Sequence, residues 1–130
     1  DTTLDENKQY DEKYAYSSNY WAGAKKACSD MGMSLPTREQ LAQLASELYV
    51  DSSGDEVTIG VTEIKTNLKV KDEYKDNPPI TLDWRYWSSE EYNARAAYFR
   101  DFYAISTYHS DTNGSGSSKN NTNRAICVSN

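Results

Sequence analysis

The chain has 130 residues, 37% of them hydrophobic, with eleven Tyr and a net charge of −6, enough for one domain that buries its own core. Residues 1–91 carry ten Lys and Arg against eighteen Asp and Glu, whereas residues 92–130 carry four against two. So acidic a body argues against nucleic acid as the main partner, because phosphate binding needs a basic footprint, and no apolar run is long enough to span a bilayer.

Asp1 to Gln9 is polar and expected to fray, and it carries no signal-peptide pattern. A chain opening Asp1-Thr2-Thr3 reads as a trimmed or mature fragment, so an anchor or pilin segment would lie N-terminal to residue 1. Rings at Tyr10, Tyr14 and Tyr16 with charges between them predict a half-exposed strand. Ser17-Ser18-Asn19 offers helix caps, and Trp21, Ala24, Cys28 and Met31 fall on one helical face, with Gly32 as the stop. Thr37 followed by Gln40 predicts a capping box for a second helix, whose apolar face is Leu41, Leu44, Ala45 and Leu48. Asp51 to Asp55 reads as a solvated turn, without calcium-loop spacing. The alternation of Val57, Ile59 and Val61 predicts a strand, while residues 63–83 give no clear pattern around Asn77-Pro78-Pro79. Trp84 to Ser89 and Ala94 to Ile105 predict two paired strands with a turn at Glu90 to Asn93. In the second, Ala97, Phe99, Asp101 and Tyr103 share one face, and Ala96, Tyr98, Arg100 and Phe102 the other. Thr107 to Asn123 is rich in turn residues, and Ala125 to Val128 predicts the closing strand.

One stretch is compositionally unlike the rest. Tyr92 to Arg124 holds no Glu, Gln, Met or Trp and one Lys, Lys119, where residues 1–91 hold twenty-five residues of those five types. An AAY codon randomised at both adenines encodes fifteen residue types and never those five, so the composition points to a surface diversified by design. A disordered tract is the bland reading, but the stretch is dense in rings: Tyr92, Tyr98, Phe99, Phe102, Tyr103 and Tyr108. Tyr with Ser, Gly and Asn is what binding loops use, a rigid ring with a polar tip among small adaptable groups. Some of these rings are core instead, Phe102 with Tyr86 and Trp87 first among them.

Cys28 and Cys127, ninety-nine positions apart, form no metal motif. They are either two separate buried thiols or a disulfide, which would add at most about 4–5 kcal/mol through loop closure and imply an oxidising compartment.

Trp21-x-x-Ala24-x-x-x-Cys28, the Leu35-Pro36-Thr37 helix start with Leu41 and Leu44, the Tyr86-Trp87-Ser88-Ser89 strand and the terminal Cys127-Val128 together resemble a C-type lectin-like domain over residues 10–130. The resemblance implies an α+β fold with two helices packed on small antiparallel sheets, N- and C-terminal strands close together, and a Cys28–Cys127 disulfide. Within that class the C-terminal stretch resembles the variable region of proteins diversified by bacterial and phage retroelements. It implies one domain, with residues 1–91 as scaffold, 92–124 as the variable ligand-binding region and 125–130 as the closing strand. Arg95, Phe99, Asp101, Tyr103, Ile105, Ser106, Tyr108, His109, Ser110 and Asp111 become candidate contacts, with Gly114, Ser115 and Gly116 weaker ones. The expected partner is a protein or cell-surface ligand, met at a bacterial or phage surface. Exposed rings and Arg95 or Arg100 would dominate binding.

The Glu-Pro-Asn or Gln-Pro-Asp loop and the Trp-Asn-Asp triplet of calcium-dependent sugar lectins are missing; Asn121-Thr122-Asn123-Arg124 stands in the corresponding place. His109 with Ser106, Ser110 and Asp111 draws a hydrolytic constellation only on paper, with no nucleophile-elbow motif. The expectation is a non-enzymatic binding module without metal or cofactor. A pilin-like or surface-layer subunit is the first alternative, and a calcium lectin the second.

Overall fold

A computed structural model describes residues 2–3, 19–109 and 117–129; the strand expected over Tyr10 to Tyr16 lies outside them. The described chain is α+β, two helices with small antiparallel sheets.

Helix α1 (Tyr20–Asp30) begins where Asn19 Oδ1 accepts the Ala22 N–H at 2.9 Å, which satisfies one of the donors a helix start leaves open. Trp21, Ala24, Ala27 and Cys28 are buried. Met31 departs from the expected stripe: it caps the helix and is 41% exposed. The chain then turns at Gly32, whose φ of 71° suits a residue without Cβ. Helix α2 (Arg38–Leu48) carries the capping box in full. Thr37 Oγ1 accepts the Gln40 N–H at 3.1 Å, and Thr37 N–H donates to Gln40 Oε1 at 2.8 Å. Leu41, Ala45 and Leu48 are buried, and Leu44 is half-buried.

Three sheets surround these helices. Strands β1 (Thr2–Thr3), β2 (Met33–Ser34) and β10 (Ile126–Ser129) pair in the order β1-β10-β2, so the first and last described strands adjoin. Strands β3 (Tyr49–Val50) and β5 (Lys69–Val70) form a two-stranded sheet. The largest sheet runs β4 (Lys65–Thr66), β8 (Ser106–His109), β7 (Ala96–Tyr103), β6 (Asp83–Glu91), with β9 (Ser117–Ser118) on β7. The paired strands predicted from Trp84 to Ile105 are β6 and β7, and their turn falls at 92–95. Thr107 to Asn123, expected as turns, also supplies the rest of β8 and all of β9.

The strand expected at Val57 to Val61 does not form. Glu56 makes one bridge to Val50, and beyond it side chains take up the backbone groups. The Ile59 N–H donates to Ser46 Oγ at 2.8 Å, while the Gly60 and Val61 carbonyls accept from Arg100 at 3.0 Å each. With those groups satisfied, no neighbouring strand is needed.

The β6–β7 ribbon separates two apolar clusters. Trp87 and Ala97 meet Trp21, Ala24, Cys28 and Cys127 in the first, while Tyr86 and Phe102 meet Leu41, Leu48, Tyr49 and Ile126 in the second. Tyr86 and Phe102 pack edge to face, 5.5 Å between centroids. The Cys28–Cys127 disulfide, with Cα atoms 5.4 Å apart, ties α1 to β10 inside the first cluster. It closes a loop over a sequence separation of 99. Replacing both cysteines by Ala is therefore expected to lower the unfolding free energy by about 2–5 kcal/mol, measured by urea titration.

Candidate functional site

Alternation along β7 divides the compositionally distinct stretch into two sides. Phe99, Asp101 and Tyr103 stand opposite Trp87, Arg85 and Asp83 of β6, and Tyr108 of β8 stands opposite Asp101. Residues directly opposite in a ladder share a face, so Arg85, Phe99, Asp101, Tyr103 and Tyr108 form one surface. Phe99, Tyr103 and Tyr108 are half-buried, and Asp101 is buried at 7% exposure. The Tyr103 and Tyr108 rings meet at 6.3 Å and 71°. Ile105, in the turn between β7 and β8, is 67% exposed.

Other predicted residues lie elsewhere. Arg95 is exposed in the β6–β7 turn, about 25 Å along the strand from Tyr103. Ser106 is buried, its carbonyl accepting from the Tyr49 hydroxyl at 3.5 Å, and the same hydroxyl donates to the Tyr103 carbonyl. His109 closes β8 opposite Arg100. Strand β9 resumes the pairing opposite Ala97, and Ser110, Asp111, Gly114, Ser115 and Gly116 fall outside the described residues. The rings also divide. Tyr92 and Tyr98 pack on each other at 5.4 Å, with the Arg38 guanidinium 3.9 Å from the Tyr98 centroid, so Tyr98 is held on the α2 side.

Arg100, expected as a binding hot spot, is a buried structural group at 2% exposure. Its Nη1 donates to the Glu63 carbonyl at 3.2 Å and to Thr107 Oγ1 at 3.1 Å; Nη2 donates to the Gly60 and Val61 carbonyls. Burial pulls its pKa down to about 10, opposed mainly by Glu63, so it stays charged at neutral pH. A buried guanidinium is tolerated when its donors are met. The chain from Gly60 to Glu63 is thereby fixed against β7 and β8.

Arg85 was not among the sequence candidates, because it lies outside the Tyr92–Arg124 stretch. Only the β6–β7 register brings it onto the face. Its Nε lies 3.4 Å from Asp101 Oδ1, an ion pair without hydrogen-bond geometry. The guanidinium sits 4.7 Å from the Phe99 centroid and 5.5 Å from that of Trp84. Beside it, Arg124 Nε and Nη2 donate to the two Asp83 oxygens at 3.0 and 3.2 Å. Burial pushes the Asp101 carboxyl up to about 6, against the pull of Arg85 and Arg100.

Lys119 is also buried. Its Nζ donates to Glu91 Oε2 at 2.6 Å and to the Ala94 carbonyl at 3.2 Å, and lies 4.7 Å from the centroid of the Trp21 ring. Its backbone bonds Arg95 and Tyr20, joining β9 and the β6–β7 turn to α1. A groove of about 280 Å³ lined by Gln40, Gln43, Leu44, Glu47, Ile126 and Val128 among others contains none of the predicted contacts. Among the described residues no cluster of three His, Cys, Asp or Glu side chains could hold a metal, and no helix is long and apolar enough to cross a membrane.

Arg100→Met leaves three carbonyls and a hydroxyl without their donor, and should lower stability by about 3 kcal/mol in urea unfolding. Asp101 gives a pH signature. With its native pKa raised from 3.8 to about 6, the folded state keeps a proton that the unfolded chain has lost between those values. Its contribution is therefore full at low pH and is lost as pH rises through about 6. Asp101→Asn should gain on the wild type by at most about 3 kcal/mol between pH 4 and pH 7, read from paired denaturation curves. Searches against family models, curated proteins and solved structures find no match to this chain.

Proposed function

We propose that the protein is a non-enzymatic recognition module with a C-type lectin-like fold, whose C-terminal face is diversified to bind protein or cell-surface ligands. One observation carries the reading. The Tyr/Ser/Asn-rich stretch is not appended to the body but supplies the whole of β7, β8 and β9, and it sets Phe99, Asp101, Tyr103 and Tyr108 on a single face. Exposed Ile105 stands at the turn that borders them. A paratope works when rings with polar tips project from a rigid support, and here the support is the two-cluster body closed by Cys28–Cys127. The disulfide also fits an oxidising, extracellular setting.

Sequencing the same locus in sibling strains tests the proposal. Differences should concentrate at Phe99, Asp101, Tyr103, Ile105 and Tyr108, at codons templated as AAY. Ala97, Arg100, Phe102, Thr107, Lys119 and Asn123, all buried, should stay fixed. Siblings identical across residues 92–124, or differing evenly between these two sets of positions, would remove the diversified surface.

A further inference from the structure

We infer that Arg85 is a fixed contact of this face and takes a carboxylate group of a protein or peptide ligand, an assignment that rests on the recognition reading above. Arg85 lies in the scaffold part of the chain yet projects between residues of the Tyr/Ser/Asn-rich stretch, opposite Asp101 and over Phe99. Its side chain is 33% exposed. Among the described residues its two terminal nitrogens have no hydrogen-bond acceptor, although its neighbours Arg100 and Arg124 are each met by oxygens of this chain. A guanidinium laid against a ring keeps its donor edge available and loses little freedom when that edge is used. Such a group, central among rings and only partly wet, is what dominates binding energy in protein interfaces.

The local charges select the partner. Asp83 is already held by Arg124, which leaves Arg85 and Asp101 as the second opposed pair on the face. A planar acceptor with one negative charge matches two parallel N–H donors. A phosphate dianion would bring twice the charge to a place where Asp101 and Asp83 already stand. Asp101 itself competes for the guanidinium, but at 3.4 Å and without a hydrogen bond it does so weakly. The surrounding Tyr103 and Tyr108 rings fit a peptide chain flanking the acid.

Panning a phage-displayed random-peptide library on the wild-type protein, with single substitutions at Arg85, Asp101, Tyr103 and Tyr108 measured in parallel, tests the assignment. Selected peptides should be enriched in Asp or Glu at one position. Their affinity should fall roughly ten- to hundredfold for Arg85→Gln, the loss of a charge-assisted hydrogen-bonded pair. Asp101→Asn should bind the same peptides more tightly, a gain that misfolding cannot mimic. Peptides without acid enrichment, or equally bound by Arg85→Gln, overturn the assignment. If those peptides still lose affinity for Tyr103→Ala or Tyr108→Ala, the recognition face stands and only the role of Arg85 falls. Peptides indifferent to all four substitutions remove both.

Discussion

Strand β7 is packed on both sides for most of its length, and the rest of the molecule is arranged around that constraint. Ala97 faces α1 and the disulfide, whereas Phe102 faces α2 and Tyr86. A strand in that position has little surface to offer a partner. The face opens beyond Ala97, from Phe99, which is half-buried against the first cluster, to the half-buried Tyr103. Successive side chains point to opposite faces, so between each pair of surface positions lies one committed to the interior. Arg100 and Phe102 are such residues, almost fully buried, while Phe99, Asp101 and Tyr103 point to the other face. A strand built this way shares its backbone between the interior and the face, position by position.

The two arginines of the ribbon show how environment divides one residue type between a buried brace and a partly exposed surface group. Arg100 and Arg85 lie in adjacent strands of the same sheet but on opposite faces, by the pairing of Tyr86 with Arg100 and of Arg85 with Asp101. Arg100 is desolvated and met by four oxygens, which fixes the loop at Gly60 to Glu63 and commits both of its terminal nitrogens. Arg85 stays partly hydrated, and Asp101 offers it charge without a good hydrogen bond. Sequence alone gave Arg100 the greater promise, because it stood within the unusual stretch.

Helix signals were legible at residue level because each is a local chemical event: Asn19 and Thr37 cap where their side chains reach the first free N–H groups. The strands of the ribbon and the closing strand were legible from alternation. Both cysteines could be placed on core elements, and they are joined. Other features depended on partners distant in sequence. The alternation at Val57 to Val61 mimics a strand, but Ser46 and Arg100 take its backbone groups. Leu68 and Ile80 are buried in a segment with no periodic pattern, since an irregular chain can fill a core without a repeating face. On the face proposed for recognition, Phe99, Asp101 and Tyr103 could be grouped by parity. Arg85 could not, because its membership follows from strand register rather than from composition.

Lys119 is the one residue of the Tyr92–Arg124 stretch whose type belongs to the set otherwise missing from it. Every other buried residue of the stretch whose burial is defined, from Ala97 and Phe102 to Thr107 and Asn123, is of a type that adenine-randomised AAY codons can encode. Composition therefore cannot separate the interior positions from the outward-facing ones. Lys119 is the exception to the missing set, and its position gives a physical reason for the exception. Its backbone closes on Arg95 and Tyr20, and its ammonium lies between the Glu91 carboxylate, the Ala94 carbonyl and the Trp21 ring. A shorter or uncharged side chain there would lose the ammonium contacts with Glu91, Ala94 and Trp21. The residue that breaks the compositional rule is thus the one that fastens the end of the face to the body.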